Sequence, residues 1–362
     1  MKTRISLLIM VALLACVHSA LAQVTNLGIA TAGNQSVLFW PTTLPNYILQ
    51  SSTNLNSTNW VTVSNAVPLN AVTVTNISPA SFFRLVQNTA SDGMAFIPAG
   101  AFTMGDYLDG ESDAIPTVTA YVSAFHMDTN LVTYSQWQAV YNWATNNGYS
   151  FTNSGSGKAP NHPVQLVDWY DSVKWCNARS QQAGLTPVYY TDAALTMIYT
   201  NGEVTPYANW TNSGYRLPTE SEWEKAARGG LSGHRFPWGD TISEGQANYI
   251  GDTSYSYDSG PNGFNSIFDT GGQPYTSPVG YFAPNSYGLY DMAGNVWEWC
   301  WDWYGTPYSG GGDPRGPASG TFRVCRGGDW NFKANWAHCA ARYDIKPIFS
   351  YFSNGFRCVR SQ

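Results

Sequence analysis

Between residues 23 and 88 the apolar positions come in short, partly alternating runs at 36–40, 47–51, 60–64, 71–75 and 81–86. Asn, Pro, Thr and Ser separate them at roughly ten-residue spacing, a rhythm that predicts a small all-β, sandwich-like module. The segment is almost uncharged and carries no Cys, no His and no carboxylate cluster, so it reads as a spacer or an adhesion-like module. Residues 88–93, Asn-Thr-Ala-Ser-Asp-Gly, form the expected linker.

From Met94 the pattern changes. Aromatics, Gly and Pro become dense and helical periodicity is rare. One helix is predicted after Asp168, a cap residue followed three positions later by Asp171. Its apolar side runs through Val173, Trp175 and Cys176, and Gly184 is a stop. A second is predicted from Thr219, where Thr219 and Glu222 have the spacing of a capping box. Trp223, Ala226 and Ala227 give its buried side and Gly229-Gly230 ends it. A third is expected near residues 133–144. The remainder reads as short strands and long loops, which a compact domain must tie down with metals, disulfides or buried aromatics.

The N-terminus adds an address. Lys2 and Arg4 precede a short apolar stretch, and Ala20-Leu21-Ala22 is a small-residue cleavage site, so residues 1–22 are expected to be a signal peptide. Leu13-Leu14-Ala15-Cys16 also has the form of a lipoprotein box, which would place an acyl anchor on Cys16. The chain is then exported: secreted, periplasmic or held at the cell surface. The stretch is too short for a membrane span, and no transmembrane segment is expected in the mature chain. Formal net charge is −6 with two of the basic residues in the signal peptide, which argues against nucleic acid as a partner. Only 12% of residues are charged against 15% aromatic, so stability must come from aromatic burial and turns.

Seven blocks then stand in a telling order: 96–105 (FIPAGAFTMG), 162–164 with 168–169 (HPV and DW), 216–224 (RLPTESEWE), 236–239 (FPWG), 287–299 (YGLYDMAGNVWEW), 326–328 (RGG) and 355–358 (GFRC). With these, the chain resembles the formylglycine-generating enzyme, or sulfatase-modifying factor, family across about residues 92–362. The resemblance implies an α+β domain with an elaborated C-type-lectin-like fold, preceded here by the small β module. It also implies structural calcium. Asp291 and Glu298 would supply carboxylates, and Gly294 and Val296 carbonyls, to an ion that prefers several hard oxygen ligands. A second site would use Asn248, the Tyr249 carbonyl, Asp269 and Gly271. A structural disulfide between Cys176 and Cys358 is implied as well. Cys300 could pair with Cys325 or Cys339, or these could stay buried thiols.

The same resemblance exposes a gap. Enzymes of this family place two cysteines five residues apart after a Gly-Gly-Ser segment, and their thiolates bind copper(I), a metal suited to soft sulfur ligands. Counting from Gly328 puts Phe332 and Ala337 at those positions. Counting back from Cys339 puts Asp329 and Ala334 there instead. Neither register supplies a thiol, so copper chemistry is not expected. The four mature histidines, His126, His162, His234 and His338, show no metal-ligand spacing. The expected function is therefore a calcium-stabilised binding or re-purposed scaffold for a peptide, protein or glycan. Its pocket rim would be drawn from Asp329, Trp330, Trp336 and His338. The alternative is a formylglycine-generating oxidase acting on a protein cysteine.

Overall fold

The computed structural model describes residues 93–109 and 111–361, together with short strands between residues 28 and 87. The expected signal peptide, Cys16 and most of the expected linker lie outside the described residues. The chain divides into two compact units, Met1–Thr89 and Ala90–Gln362.

The first unit holds two three-stranded antiparallel sheets. One is built from β1 (Gly28–Ala32), β2 (Gln35–Phe39) and β5 (Ala71–Thr75), and the other from β3 (Tyr47–Ser52), β4 (Val61–Thr62) and β6 (Phe82–Gln87). Strands β2 to β6 fall on the runs picked out above. The exception is β1, whose sequence Gly-Ile-Ala-Thr-Ala is too small-sided to show alternation.

The second unit is α+β. Its sheets are small and come from distant parts of the chain. Strand β7 (Met94–Ile97) pairs with β10 (Phe125–Asp128), which pairs with β20 (Val359–Ser361), so the two ends of the unit meet in one sheet. Strands β8 (Gly100–Met104) and β9 (Val118–Val122) form a hairpin joined by β16 (Gly311–Gly312). The longest strand, β15 (Trp297–Trp303), lies between β17 (Arg323–Arg326) and β19 (Asn354–Gly355), and β18 (Arg342–Ile345) extends the sheet beyond β17. Two-stranded ribbons, β11 (Tyr189–Tyr190) with β12 (Tyr207–Ala208) and β13 (Ile250–Gly251) with β14 (Gly263–Phe264), complete the strands.

The helices form where the sequence predicts, two of them at the expected caps. Helix α1 (Tyr134–Thr145) is closed by a Thr133–Gln136 capping box. Helix α2 (Trp169–Gln182) starts at Asp168, whose Oδ1 accepts the Asp171 N–H at 2.7 Å, and it stops before Gly184, at φ +70°. Helix α3 (Glu220–Ala227) carries the Thr219–Glu222 box. The main core joins α1, α2 and β15. Trp137 and Trp175 stack with centroids 5.9 Å apart, and Phe356 meets both edge-on. Among the described residues seven Trp side chains are fully buried, and burial of such large rings supplies the hydrophobic driving force that short strands cannot.

Helix α3 also holds charge inside the fold. Glu224 accepts the Gly105 N–H at 2.8 Å and pairs with both Arg228 and Arg326, all buried. Glu220 pairs with Arg326 and Arg342. Because a buried ion is costly unless paired, these contacts fix Arg326 in place, and Arg326 immediately precedes the Gly-Gly turn that opens the candidate site.

Candidate functional site

The loop from Gly327 to Ala341 begins in a turn that only glycine tolerates. Gly327 and Gly328 have φ of +96° and +74°. A Cβ on Gly328 would lie 2.8 Å from the Trp336 carbonyl oxygen, so the returning half of the loop packs directly on the turn. At the far end, Arg326 donates to the carbonyls of Cys339 and Ala341 at 3.1 and 2.5 Å.

Asp329 follows the turn and is buried. Its Oδ1 accepts the Asn331 N–H at 2.7 Å. Burial pushes its carboxyl up to about 7, against smaller opposing hydrogen bonds from Ser353, Asn331 and Phe332. Trp330 is buried too. Its ring packs against Phe264, Tyr275 and Phe352 at 5.8, 5.2 and 5.8 Å, and its backbone N–H donates to the Asn295 carbonyl at 3.0 Å. His338 is 0% exposed. Its Nδ1 lies 3.0 Å from Glu111 Oε1, and its ring sits edge-on to Phe236 and Tyr257. The expected pocket rim is thus corrected. Asp329, Trp330 and His338 face the interior because segments around residues 111, 264, 275 and 352 close over them, and only Trp336 is part-exposed.

Phe332 and Ala337 occupy the positions at which the resemblance expects thiols. Phe332 is packed within an aromatic cluster, 5.6 Å from Trp297, 5.7 Å from Trp336 and 5.5 Å from Tyr343. Ala337 is buried. The alternative register, Asp329 and Ala334, is buried as well. Cys300 and Cys325 lie on β15 and β17, where burial raises both thiols well above their ordinary range. Cys339 is pushed up to about 12 by burial. The segment between Gly328 and His338 contains no thiol, and among the described residues no three of His, Cys, Asp and Glu converge, so the residues present offer no cysteine pair for a copper(I) centre.

Calcium is a closer match. Gly294, at φ +76°, lets the chain pass so near Asn248 that a Cβ would meet the Asn248 carbonyl at 2.3 Å. The Asn295 N–H donates to that carbonyl at 2.8 Å. The two expected ligand segments therefore touch at Asn248 and Gly294. Asp291 is buried, accepts the Gly280 N–H at 2.7 Å, and has its carboxyl pushed up to about 6, chiefly by burial. The Gly280 and Asn295 hydrogen bonds and the charge of Arg357 oppose that shift. Glu298 differs: Arg357 forks onto it at 2.6 and 2.9 Å. Each Glu298 oxygen keeps a second lone pair, but its charge is already balanced. Val296 is buried beside them.

The second expected site draws on two segments of different exposure. Tyr249 is buried, and Asn248 donates to the Tyr275 carbonyl at 2.8 Å. Asp269 and Gly271, however, sit on an exposed loop that Lys158 holds through the Phe268 and Thr270 carbonyls at 3.1 and 2.8 Å. Among the described residues no three of His, Cys, Asp and Glu converge to hold a metal ion, so either calcium set depends on carbonyl oxygens. The Cys176 and Cys358 sulfurs are neighbours at 3.5 Å and unbonded, both buried. No helix among the described residues is long and apolar enough to cross a membrane.

Sequence reasoning missed the groups that bind this region from afar, namely Glu111 on His338, Arg357 on Glu298 and Arg326 on Glu224. Arg326 and Arg357 lie within the recognisable blocks, but nothing local names partners 102 and 59 residues away.

Comparison with known proteins agrees with this layout. The model of the sulfatase-modifying factor enzyme 1-like domain matches residues 81–362. A formylglycine-generating enzyme from Thermomonospora curvata is 34% identical over 298 residues, covering 74% of this chain and 93% of that protein. A chaperone protein LppX from Paenibacillus barcinonensis is 31% identical over 283 residues, covering 76% of this chain and 91% of that protein. Among solved structures, Treponema denticola variable protein 1 superposes with a TM-score of 0.59 at 29% identity, covering 74% of this chain and 95% of that one. The chain therefore belongs to the formylglycine-generating-enzyme, or sulfatase-modifying-factor, family, with the α+β fold of that family.

Proposed function

We propose that this chain is an exported member of the family that has given up copper-dependent oxidation and serves as a calcium-stabilised scaffold binding a peptide, protein or glycan. The observation that carries the reading is Phe332. At the position expected for a copper-binding cysteine stands an aromatic ring packed against Trp297, Trp336 and Tyr343, and the loop between Gly328 and His338 contains no thiol. The frame that would position the missing pair is retained, in the Gly-Gly turn, Arg326 and helix α3. Asp291, with Gly294 and Val296, is the ligand set that would hold calcium, a cation that supplies rigidity rather than chemistry in this reading. Loop residues that reach the surface, Lys333 and Trp336 among them, are the ones available to a partner.

The test supplies copper(I), oxygen and a sulfatase-type cysteine peptide to the purified mature protein and follows the peptide by mass spectrometry. The peptide is expected to stay a thiol. Turnover to the aldehyde would restore the oxidase reading, which the identity to formylglycine-generating enzymes otherwise favours.

A further inference from the structure

A cavity of about 480 Å³ opens where the loop before α3, the end of β9, the strap after β16 and the C-terminal strand meet. It is lined by Ser123, Trp210, Arg216, Glu222, Asp313 and Arg315 among others. None of its lining residues belongs to the 328–339 loop. Its size is within the range of small-molecule sites.

Most polar groups in the cavity wall already have hydrogen-bond partners. Both Glu222 oxygens accept from Arg216 at 2.7 Å, and one also accepts the Thr219 N–H at 2.8 Å. Asp313 accepts the Ser123 N–H and hydroxyl at 2.7 and 2.8 Å, one on each oxygen. The Ser361 hydroxyl donates to the Trp210 carbonyl at 3.2 Å. Both acids are therefore engaged. Arg315 is not: among the described residues it makes no hydrogen bond or ion pair, and its guanidinium lies 4.2 Å from the centroid of the Trp210 ring. Stacking on an indole orients a guanidinium and leaves its in-plane N–H groups free for a two-point contact.

Arg315 is also held in position. Asp313 adopts φ +43°, an unusual conformation for a side-chain-bearing residue. It is clamped there by Ser123 and by its own N–H, which donates to the Tyr121 carbonyl at 2.7 Å. Pro314, buried, then stiffens the step to Arg315. Partial burial lowers the Arg315 guanidinium from its ordinary range and the neighbouring Arg216 adds repulsion, while Asp313, Glu222 and Asp302 oppose the shift. An anion beside Arg315 would relieve that repulsion.

We propose that this cavity binds a small oxyanion-bearing ligand, with the Arg315 guanidinium forking onto its carboxylate or sulfate group. Fork-shaped donors match both groups; Glu222 is balanced by Arg216, and both Asp313 oxygens already accept from Ser123. The inference goes beyond the scaffold reading and does not depend on it, because the two sites share no residue.

The test is isothermal titration calorimetry on the purified mature protein with sodium glucuronate, sodium sulfate and neutral glucose. The expected result is binding of glucuronate, sulfate or both, no binding of glucose, and a loss of about tenfold or more in Arg315→Gln, as for removal of a charge-assisted hydrogen bond. Arg315→Lys, which keeps the charge and loses the fork, should fall between. Glucuronate binding alone assigns a carboxylate ligand and sulfate binding alone a sulfate ester. No heat with either anion at about 10 mM, corresponding to a very weak site, overturns the proposal. So does an Arg315→Gln protein that is folded by circular dichroism and binds as the parent does.

Discussion

Asp329→Asn isolates one buried carboxyl. Its folded value of about 7 lies above the ordinary 3.8 because burial disfavours the charged form. The folded state therefore holds a proton that the unfolded chain releases near pH 4. Stability from this group is complete below that point and is lost as pH rises through about 7. A shift of roughly three units at about 1.4 kcal/mol each sets the loss at up to about 4 kcal/mol by pH 8. Asn keeps a carbonyl to accept the Asn331 N–H and cannot ionise. The variant should match the parent near pH 4 and exceed it progressively toward pH 8. Urea unfolding followed by tryptophan emission, repeated across that range, reads the gap as a shift in midpoint at constant slope. A gap that is the same at both ends of the range, or absent throughout, would refute the burial argument, because either result means Asp329 ionises as easily folded as unfolded.

Arg357→Met should lower stability by about 3–5 kcal/mol, since it strands the Glu298 carboxylate in the interior; adding Glu298→Gln should recover part of the loss in the same thermal melt. Oxidising the protein is expected to join Cys176 to Cys358, and on the entropic account closing that long loop contributes about 3–5 kcal/mol. Melting temperature should then fall with reductant in the parent and not in Cys176→Ser, with peptide mapping to identify the bond. Chelating calcium should lower the melting temperature of the parent but leave Asp291→Asn unchanged; equal response in both would count against Asp291 as a ligand.

What could be read from the sequence was local. The caps at Asp168 and Thr219 were visible because donor and acceptor lie three residues apart, and a helix start is decided there. The family blocks, and with them the fold, were visible because their motifs are short and ordered. The candidate loop was legible in what it lacks, a thiol, but not in how it faces. Asp329 and Trp330 sit between a Gly-Gly pair and Asn331, a texture that reads as surface, and His338 stands beside Cys339 with nothing local to show which way it faces. Their burial is decided by Glu111, Phe264, Tyr275 and Phe352, none of which is close in sequence. Glu298 was legible as a carboxylate beside a glycine turn, and its partner Arg357 was not. Strand β1 was missed because small side chains give no alternation to see.

Arg326 has a bearing on how this region can change over time. It anchors the exit of the 328–339 loop by two carbonyls and is itself locked to helix α3, while the entrance is fixed by backbone contact at Gly328. The exit is held through main-chain carbonyls, which every residue type provides, and the entrance needs only its two glycines. Asn331, Lys333 and Asn335, which lie at least partly exposed between them, can therefore drift in identity without disturbing the frame. The region behaves as an exchangeable insert in a constant mount, and recognition could be rewritten there at little cost to folding.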